Sequence, residues 1–441
     1  MNMYLEVPPL SPINSPFEII VGDAEPGTTV RIAVATTDHA GQTFTGEHDF
    51  TVGADGTVST THTLPLSAEW TPPSAAGILW TMTGDGNEFT LRDTTPITFT
   101  VTVRTSGQPG LQAKAQRHFP RGIHALDNAP ASLGGGTVYL PDGDAKHPAV
   151  LLIGDATGTA CNAAAAELAG EGFVAIAANW VPADNTPRNL SNISKHLRGL
   201  TRLPGIDTTL PLGIIGVGRG AELALMIAST LNHTGPVVAH SPSDVRTQQP
   251  SRKGSHPTWI ADDDQPETQP HFDTTALTAP GIKDAGSDWR AFIQPALKGK
   301  PWQLGEYYHS ARAHDDVTAA RIKVENISCP LLLTAGDEDP VWHSHSSQDR
   351  IVEKLRGLND NVFAVDYHNA GYGVGYPMTF TGIPHTKTAS LYGHRVLVGG
   401  TPAGRGKAAI SSRTNTLSFL RSAFDALREP TPTPTNPHST D

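Results

Sequence analysis

The stretch that most constrains this chain is an apolar run that meets a glycine-rich turn and continues into helix-forming residues. It covers residues 212–229, with glycine at positions 216, 218 and 220. In the nucleophile elbow of hydrolases, G-x-S-x-G, the nucleophile stands at the tip of a sharp turn between a strand and a helix. Here the tip residue is Gly218. The stretch therefore predicts an elbow whose nucleophile is missing.

The same glycines leave two other interpretations open. A dinucleotide-binding turn has the spacing G-x-G-x-x-G and an acidic residue roughly 20 residues further on. This chain has G-x-G-x-G, and no acidic residue ends the next strand at that distance. A plain buried crossover from strand to helix would need no site at all. The spacing favours the disabled elbow over both alternatives.

The composition restricts the classes of partner and the cellular compartment that we expect. The 441 residues are enough for two or three domains, and 43 acidic against 32 basic residues give a net charge of −11. This balance argues against a nucleic-acid partner. The two cysteines, Cys161 and Cys329, form no disulfide framework. With no signal-like N-terminus and no apolar run of roughly 20 residues, the sequence predicts a cytoplasmic protein without a membrane span.

The first part of the chain has the pattern of a β-sandwich. From residue 17 to 104, short segments rich in threonine and valine alternate polar and apolar residues and are separated by turns. This period and turn spacing predict an immunoglobulin-like β-sandwich domain over residues 1–104. Residues 106–110 are rich in glycine and polar residues and are predicted to be a linker.

The pattern then changes to near-continuous apolar strands that alternate with helices. The predicted strands are 137–141, 148–154, 173–178, 212–217, 237–241, 329–336 and 362–367. This alternation predicts an α/β domain over residues 105–428, built on a parallel sheet covered on both faces. Its last helix is predicted over 413–428, followed by a disordered tail over 429–441. Residues 242–312 are predicted to form an excursion or lid, with its best apolar anchors at 289–293 and 296–297.

In an α/β-hydrolase the triad follows in the order nucleophile, acid, histidine, on loops at the carboxyl edge of the sheet. Asp339 follows the strand that ends at Gly336 and is the predicted acid, although an acidic residue there can equally be a helix cap. The loop after residue 367 offers His368 early and Tyr372 further along. A phenol with an ordinary pKa of about 10 is a poor general base.

The predicted oxyanion hole uses two backbone N–H groups. One belongs to Arg219, directly after the nucleophile position, and the other to the loop after Ile153, at Asp155 or Ala156. Backbone donors survive the loss of side chains, so an oxygen-binding pocket can persist. The loop could also be a plain connection between a strand and a helix.

Five short segments, in order along nearly the whole chain, carry a specific resemblance. They are Gly77-Ile78-Leu79-Trp80-Thr81-Met82, Gly216-Val217-Gly218-Arg219-Gly220-Ala221-Glu222-Leu223, Ile322-Lys323-Val324-Glu325-Asn326-Ile327, Gly336-Asp337-Glu338-Asp339-Pro340-Val341-Trp342-His343-Ser344 and Gly399-Gly400-Thr401-Pro402. They resemble segments of the acyl-CoA thioesterase / bile acid-CoA:amino acid N-acyltransferase family. The resemblance implies a β-sandwich joined to an α/β-hydrolase domain.

The resemblance also implies a chemistry and its residues. The family acts on CoA thioesters through a covalent acyl-enzyme on Ser or Cys, which water or an amino acid resolves. Carried over to this chain, the acid is Asp339, the nucleophile position is Gly218, and the family's A-G-H places its base position at Tyr372. Loss of a nucleophile or base leaves roughly 10³ to 10⁴-fold catalysis over water. The inherited covalent mechanism is therefore predicted not to operate.

Three hypotheses follow. The preferred one is a catalytically disabled member that retains an acyl or acyl-CoA pocket and serves as a binding, regulatory or partner subunit. The second is an active enzyme with displaced groups, in which His368 is the base or Cys161 the nucleophile. The third is a non-catalytic interaction protein. No cofactor is predicted, and His343, His345 and His385 lack the spacing of a metal site.

Overall fold

The structure is a computed structural model that describes residues 3–84, 88–107, 109–157, 161–181, 186–251, 254–262, 272–278, 298–314 and 316–428. The predicted tail at 429–441 and the predicted anchors at 289–293 and 296–297 lie outside the described residues.

Two sheets form the N-terminal part. Their strands are β1 (Tyr4–Glu6), β2 (Leu10–Pro12), β3 (Ile20–Gly22), β4 (Thr29–Thr37), β5 (Thr43–Thr51), β6 (Val58–Ser59), β7 (Ile97–Thr105) and β8 (Leu111–His118). One sheet has the order β2-β8-β7-β4-β5 and the other β1-β3-β6. Alternate residues of β4 are buried and join one core with Val21 of β3 and Val58 of β6. Two sheets around a shared core confirm the predicted β-sandwich.

The first sheet continues past residue 104. Strand β8 pairs antiparallel with β7, from Val103 opposite Leu111 to Ile97 opposite Arg117. The interpretation of residues 106–110 as an interdomain linker is therefore wrong, because the chain re-enters the same sheet after them. Strand β8 carries mostly polar or small residues, so its backbone pairing leaves little trace in the apolar pattern. The limits of the two units otherwise stay a prediction.

A short buried helix connects the two parts of the molecule. Helix α1 (Gly77–Trp80) comprises most of the first family-like segment, and all four of its residues are buried. The Trp80 indole N–H donates to the carbonyl oxygen of Thr381 at 2.9 Å. The segment therefore anchors the β-sandwich to the loop around Thr381, in the second part of the chain.

The larger part of the chain is built on an eight-stranded sheet. The strands after β8 are β9 (Ile123–Ala125), β10 (Val138–Pro141), β11 (Ala149–Ile153), β12 (Val174–Ala178), β13 (Arg188–Asn189), β14 (Gly213–Val217), β15 (Val237–His240), β16 (Gln249–Ser251), β17 (Gly254–His256), β18 (Trp259–Ile260), β19 (Leu331–Gly336), β20 (Val362–Tyr367), β21 (Thr388–Leu391) and β22 (His394–Leu397). The sheet order is β20-β19-β15-β14-β11-β12-β10-β9. Strand β10 runs antiparallel to both neighbours. The other pairs of neighbours, β12-β11-β14-β15-β19-β20, are all parallel. This is the topology of the predicted α/β-hydrolase fold; the sheet is mixed rather than purely parallel.

Helices pack on both faces of the sheet. After α1 they are α2 (Asn162–Ala169), α3 (Ile193–Leu200), α4 (Arg219–Thr230), α5 (Leu304–His314), α6 (Val317–Ala320), α7 (Ser344–Leu355) and α8 (Pro402–Arg428), with 3₁₀ turns at Ala131–Leu133 and Val324–Asn326. Among the described residues, none of the helices is both long enough and apolar enough to cross a bilayer.

The last helix begins 11 residues earlier than the predicted start at 413, at Pro402. The Thr401 hydroxyl accepts the N–H of Gly404 at 2.9 Å, and proline follows directly at the first helical position. Glycine and alanine dominate the first turns, and they hide the amphipathic period that marks the second half of the helix.

Parts of the predicted excursion at 242–312 are ordered beside the sheet. Strands β16 and β17 form a hairpin, and β18 pairs in parallel with β13. Helix α5 contributes Tyr307 and Tyr308 to the main core. These elements pack over the start of α4, where the elbow lies.

Candidate functional site

The sequence forms the predicted strand–turn–helix, with Gly218 between β14 and α4. Gly218 has φ 57° and ψ −115°, a conformation that residues with a side chain adopt only under strain. Its N–H donates to the carbonyl oxygen of His240 at 2.9 Å, which ties the turn to the neighbouring strand β15. The backbone of a nucleophile elbow is therefore in place.

A carboxylate occupies the two N–H groups predicted as the oxyanion hole. Asp155 Oδ1 accepts the N–H of Ala156 at 2.8 Å and the N–H of Arg219 at 3.2 Å. Asp155 was predicted to contribute a backbone donor, and it instead contributes a side-chain acceptor. The N–H groups of Ala156 and Arg219 converge on one oxygen, and that oxygen belongs to the chain itself.

Tyr372, at the predicted base position, holds the other oxygen of the same carboxylate. Its phenol donates to Asp155 Oδ2 at 2.5 Å. Its ring lies edge-on to Trp342, with ring centroids 5.5 Å apart. Burial and the neighbouring Asp155 carboxylate raise the pKa of the phenol well above its ordinary value. Tyr372 is therefore a hydrogen-bond donor in this site and is poorly suited to accept a proton.

Together these two side chains fill the space above the tip of the elbow. A Cβ atom built on Gly218 would lie 1.9 Å from the Tyr372 hydroxyl and 2.5 Å from Asp155 Oδ2. A nucleophilic side chain at position 218 therefore cannot be added without moving both groups. The sequence showed the missing nucleophile but not the groups that occupy its place.

The charge state of Asp155 is set by two opposing effects. Its carboxyl is buried, and burial raises its pKa. The hydrogen bonds from Tyr372, Ala156 and Arg219, and the Arg219 charge, oppose that rise. The carboxyl thus has a raised pKa in a network that is built to hold oxygen atoms.

Arg219 was predicted only through its backbone, yet its side chain is a major part of the site. The guanidinium is fully buried and pairs with Glu222 at 3.0 Å. It donates to the carbonyl oxygens of Thr247 and Gln248 and to the hydroxyls of Tyr308 and Tyr392. Burial opposes its charge, but the tyrosine hydroxyls and Glu222 favour it, so the pKa of Arg219 is raised well above its ordinary value.

This network also ties the excursion to the elbow. Glu222 Oε1 accepts the Trp259 indole N–H at 2.5 Å, and the Arg219 guanidinium lies 5.3 Å from the ring centroid of Trp342. The guanidinium nitrogens of Arg219 are all bonded to Glu222, Thr247, Gln248, Tyr308 and Tyr392. The side chain of Arg219 therefore positions its own backbone N–H at Asp155.

The predicted acid, Asp339, lies in the loop after β19 and is buried. Its oxygens accept the N–H of Val341 at 2.7 Å and the N–H of Ser344 at 3.0 Å, at the start of α7. The Tyr372 phenol bonds to Asp155 rather than to Asp339. These contacts favour the helix-cap interpretation of Asp339, and its role as a triad acid stays a prediction.

The two candidate displaced groups lie in different surroundings. The His368 side chain is 85% exposed, and its Nδ1 contacts Asp337 at 3.0 Å. This position favours a solvated loop residue over a base. Cys161 lines the cavity beside the elbow, but burial raises the pKa of its thiol to about 12, which disfavours the nucleophilic thiolate.

A cavity of about 400 Å³ opens beside the tip of the elbow, between the β-sandwich and the hydrolase part. Its walls include Asp155 and Tyr372 at one point and apolar side chains such as Phe89, Phe380 and Ile383 around it. A cavity of this size lies in the range, roughly 300–1,000 Å³, of small-molecule sites. Its size and its position next to the elbow make it a candidate ligand site.

The cavity also contains ionisable residues that the sequence analysis did not place there: Glu88, His385 and Arg405. His385 had been considered only as a possible metal ligand; it lies in the cavity, whereas His345 pairs with Asp366 at 2.8 Å. Among the described residues, no group of three or more metal-ligating side chains comes together. The sequence does contain a signal for Arg405. Thr401-Pro402 indicates the start of a helix, and Arg405 follows it closely.

Comparisons with known proteins match both parts of the chain. Residues 194–426 match the family model described as the BAAT / acyl-CoA thioester hydrolase C terminal, and residues 14–125 match the acyl-CoA thioester hydrolase/BAAT N-terminal region. Acyl-coenzyme A thioesterase 5 of Mus musculus is 22% identical over 437 residues, which cover 95% of this chain and 96% of that protein.

Two further relatives align over about half of each chain. Acyl-coenzyme A thioesterase 6 of Mus musculus is 26% identical over 234 residues, 49% of this chain and 55% of that protein. The peroxisomal succinyl-coenzyme A thioesterase of Mus musculus is 23% identical over 241 residues, 51% of this chain and 56% of that protein. Among solved structures, an acylaminoacyl peptidase from Pyrococcus horikoshii has a TM-score of 0.37 at 10% identity, covering 94% of this chain and 60% of that one.

Proposed function

Because the chain belongs to the acyl-CoA thioester hydrolase/BAAT family, we propose that it binds acyl or acyl-CoA groups beside Gly218 without forming the covalent acyl-enzyme. The relatives named above are acyl-CoA thioesterases, and this chain has the corresponding scaffold with an altered site. In this proposal the chain is a pseudoenzyme of acyl metabolism that acts as a binding or regulatory subunit. A protein partner is compatible with that role.

The observation that carries the proposal is the Asp155 carboxylate at the elbow. It accepts both N–H groups that would stabilise a tetrahedral oxyanion, and Tyr372 holds it there. Removing one oxyanion donor from an enzyme costs roughly 10² to 10³-fold in rate. A carboxylate that occupies both donors therefore suppresses the residual activity that a triad without nucleophile and base would keep.

The cavity next to these groups supplies the binding site. It presents the apolar side chains of Phe89, Phe380 and Ile383 to a ligand among many polar ones, and it reaches the elbow at Asp155. Apolar walls with a few polar groups are typical of pockets that bury an organic ligand. An acyl chain fits this character, and the CoA moiety would extend outside the cavity.

The test measures binding and thioester cleavage separately. Short, medium and long acyl-CoAs are offered to the parent, to the double variant Gly218→Ser, Tyr372→His, and to a triple variant that adds Asp155→Ala. We expect the parent to bind but not to cleave. The double variant should stay silent because Asp155 still occupies both N–H groups, whereas the triple variant should form an acyl-enzyme detectable by mass spectrometry.

Thioester cleavage by the parent would contradict the proposal. Three single variants would then identify the groups responsible for the cleavage. Loss of cleavage in His368→Ala or Cys161→Ala would indicate the displaced groups, and loss in Asp155→Asn would indicate chemistry by the buried carboxyl itself. Absence of any acyl-CoA binding would leave the non-catalytic interaction protein. The cytoplasmic location stays a prediction of the sequence and is tested by cell fractionation.

A further inference from the structure

Arg405 is a buried cation in the wall of the cavity with few partners of its own. The residue is 9% exposed, and its guanidinium makes one hydrogen bond, from Nη1 to the carbonyl oxygen of Tyr372 at 2.9 Å. Its Nε–H is buried without an acceptor, and over the described ranges no carboxylate oxygen lies within 4 Å of the guanidinium. A buried charge without a partner is costly, so this arrangement points to an anion that completes it.

The position of Arg405 in the fold adds to the local positive potential. It is the fourth residue of α8, a helix of 27 residues that begins at Pro402 and has no acidic residue in its first turn. The positive end of the helix dipole lies at this terminus, where anions are stabilised and cations are not. Arg219, by contrast, is the first residue of α4 and has Glu222 beside it. Among the described residues Arg405 has no such ion pair, and the carboxyl groups of Glu88 and Asp339 favour its charge without contacting it.

Among the described residues, none of the ionisable neighbours of Arg405 in the cavity forms an ion pair with it. His385 is 4% exposed, and its Nε2 has no hydrogen-bond partner. Burial and the Arg405 charge lower the pKa of His385 to about 3, so the ring is neutral and adds no charge to the cavity. Glu88 accepts the N–H of Ser390 at 3.1 Å; burial raises the pKa of its carboxyl, and the Arg405 charge opposes that rise.

We propose that Arg405 binds the carboxylate of a ligand that lies in the cavity beside the elbow. The ligand class is an acyl group that carries a second, terminal carboxylate, or the corresponding free carboxylic acid. The planar guanidinium offers a fork of donors that matches a carboxylate, and the apolar walls take the methylene chain. This inference rests on the proposed function because it names the substrate class of the same cavity.

The test compares two thioesters that differ in one group. Hexanoyl-CoA and adipoyl-CoA share the CoA moiety and a six-carbon chain, and only adipoyl-CoA has a terminal carboxylate. We expect calorimetry to show roughly 10- to 100-fold tighter binding of adipoyl-CoA by the parent, the range for a charge-assisted hydrogen bond. Arg405→Gln should abolish this preference. Arg421→Gln, which removes a charge from an exposed position of the same helix, should keep it.

Free hexanoate and adipate form the second arm and identify the source of the carboxylate. Arg405-dependent binding of the free acids, without binding of either thioester, would support the carboxylate site and contradict the acyl-CoA function. Equal binding of both thioesters, or a preference that survives Arg405→Gln, would overturn the carboxylate site and leave the acyl-CoA function intact. Failure of all four compounds to bind would overturn both.

Thermal unfolding of each variant checks that the fold is retained. If Arg405→Gln does not fold, Arg405→Lys takes its place, because lysine keeps the charge but loses the fork of donors. The preference for adipoyl-CoA should then fall without disappearing, and an unchanged preference would contradict the inferred role of the guanidinium.

Discussion

The flanks and the tip of the elbow both carry glycine, but different parts of the molecule surround them. At the flanks, a Cβ on Gly216 would lie 2.2 Å from the Gly220 carbonyl oxygen, and one on Gly220 would lie 2.0 Å from that of Ile153. At the tip, the nearest atoms to a Cβ on Gly218 belong to the side chains of Tyr372 and Asp155. Backbone excludes a side chain at the flanks, and replaceable side chains exclude it at the tip.

This difference separates the requirements of the fold from those of the site. A carbonyl oxygen of β11 cannot move without disturbing the sheet, so the glycines at the flanks are fixed by the strand–helix packing. The contents of the tip can change together without touching the sheet. The same backbone could therefore present a nucleophile or a closed carboxylate–phenol pair, depending on a few side chains.

The largest effect is expected at the flank. Gly220→Ala should lower the free energy of unfolding by about 3 kcal/mol, the upper part of the usual cost of overpacking, because its Cβ meets the Ile153 backbone. Urea denaturation measures the change. Gly199→Ala is the matched control, since Gly199 also lies in a helix, α3, and a Cβ there meets no atom within 4 Å. That variant should be neutral or slightly more stable; equal losses for both would contradict the comparison.

A smaller and conditional effect is expected at the tip. Gly218→Ser alone should cost about 2 kcal/mol, from overpacking and from the strained φ of 57°. In the background Asp155→Ala, Tyr372→His the same change should cost at least about 1 kcal/mol less, because the two atoms that crowd the Cβ are gone.

The four proteins form a thermodynamic cycle in urea denaturation. A coupling free energy near zero would mean that the backbone, rather than Asp155 and Tyr372, restricts the tip. The flank and the tip would then be equivalent, contrary to the geometry above.

Much of this architecture could be predicted from the apolar pattern and the turn residues. The strand–turn–helix at Gly218 was predicted because a buried strand, alternate glycines and helix formers follow each other without interruption. Strand β20 and the loop positions of Asp339 and Tyr372 were found in the same way, since parallel strands end at one edge of the sheet. Strand β8 was missed because polar side chains cover it and only its pairing with β7 defines it.

The chemistry of the site was less accessible, because it depends on where side chains point. Asp155 and Tyr372 are separated by 217 residues, and nothing in the local sequence shows that their side chains meet. Asp155 was expected to offer a backbone N–H, and only its rotamer makes it an acceptor for Ala156 and Arg219. Arg405 was overlooked because the predicted helix began at residue 413, which left Arg405 in the preceding loop rather than in the first turn of the helix.

The smallest effect distinguishes a histidine of the sheet from a histidine of the cavity. His240, whose carbonyl oxygen accepts the Gly218 N–H, has both ring nitrogens bonded, to Thr334 and Tyr376. His385 faces the cavity with Nε2 unbonded. Burial lowers the pKa of His240 to about 4 and that of His385 to about 3. Both rings are therefore neutral in the folded protein at pH 6.

The unfolded chain binds a proton on each ring below an ordinary pKa of about 6.5, whereas the folded chain does not, so stability falls as the pH is lowered. Each ring should account for a loss of about 1 kcal/mol between pH 7.5 and 6. His385→Gln should remove its share and cost less stability at pH 7.5 than a change at His240, because its Nε2 has no bonded partner to lose. His240→Gln should flatten the profile equally but also destabilise the protein at pH 7.5, since Thr334 and Tyr376 lose a bonded partner. Urea denaturation at the two pH values measures both, and a His385→Gln profile as steep as the parent's would show that this ring is already charged in the folded cavity.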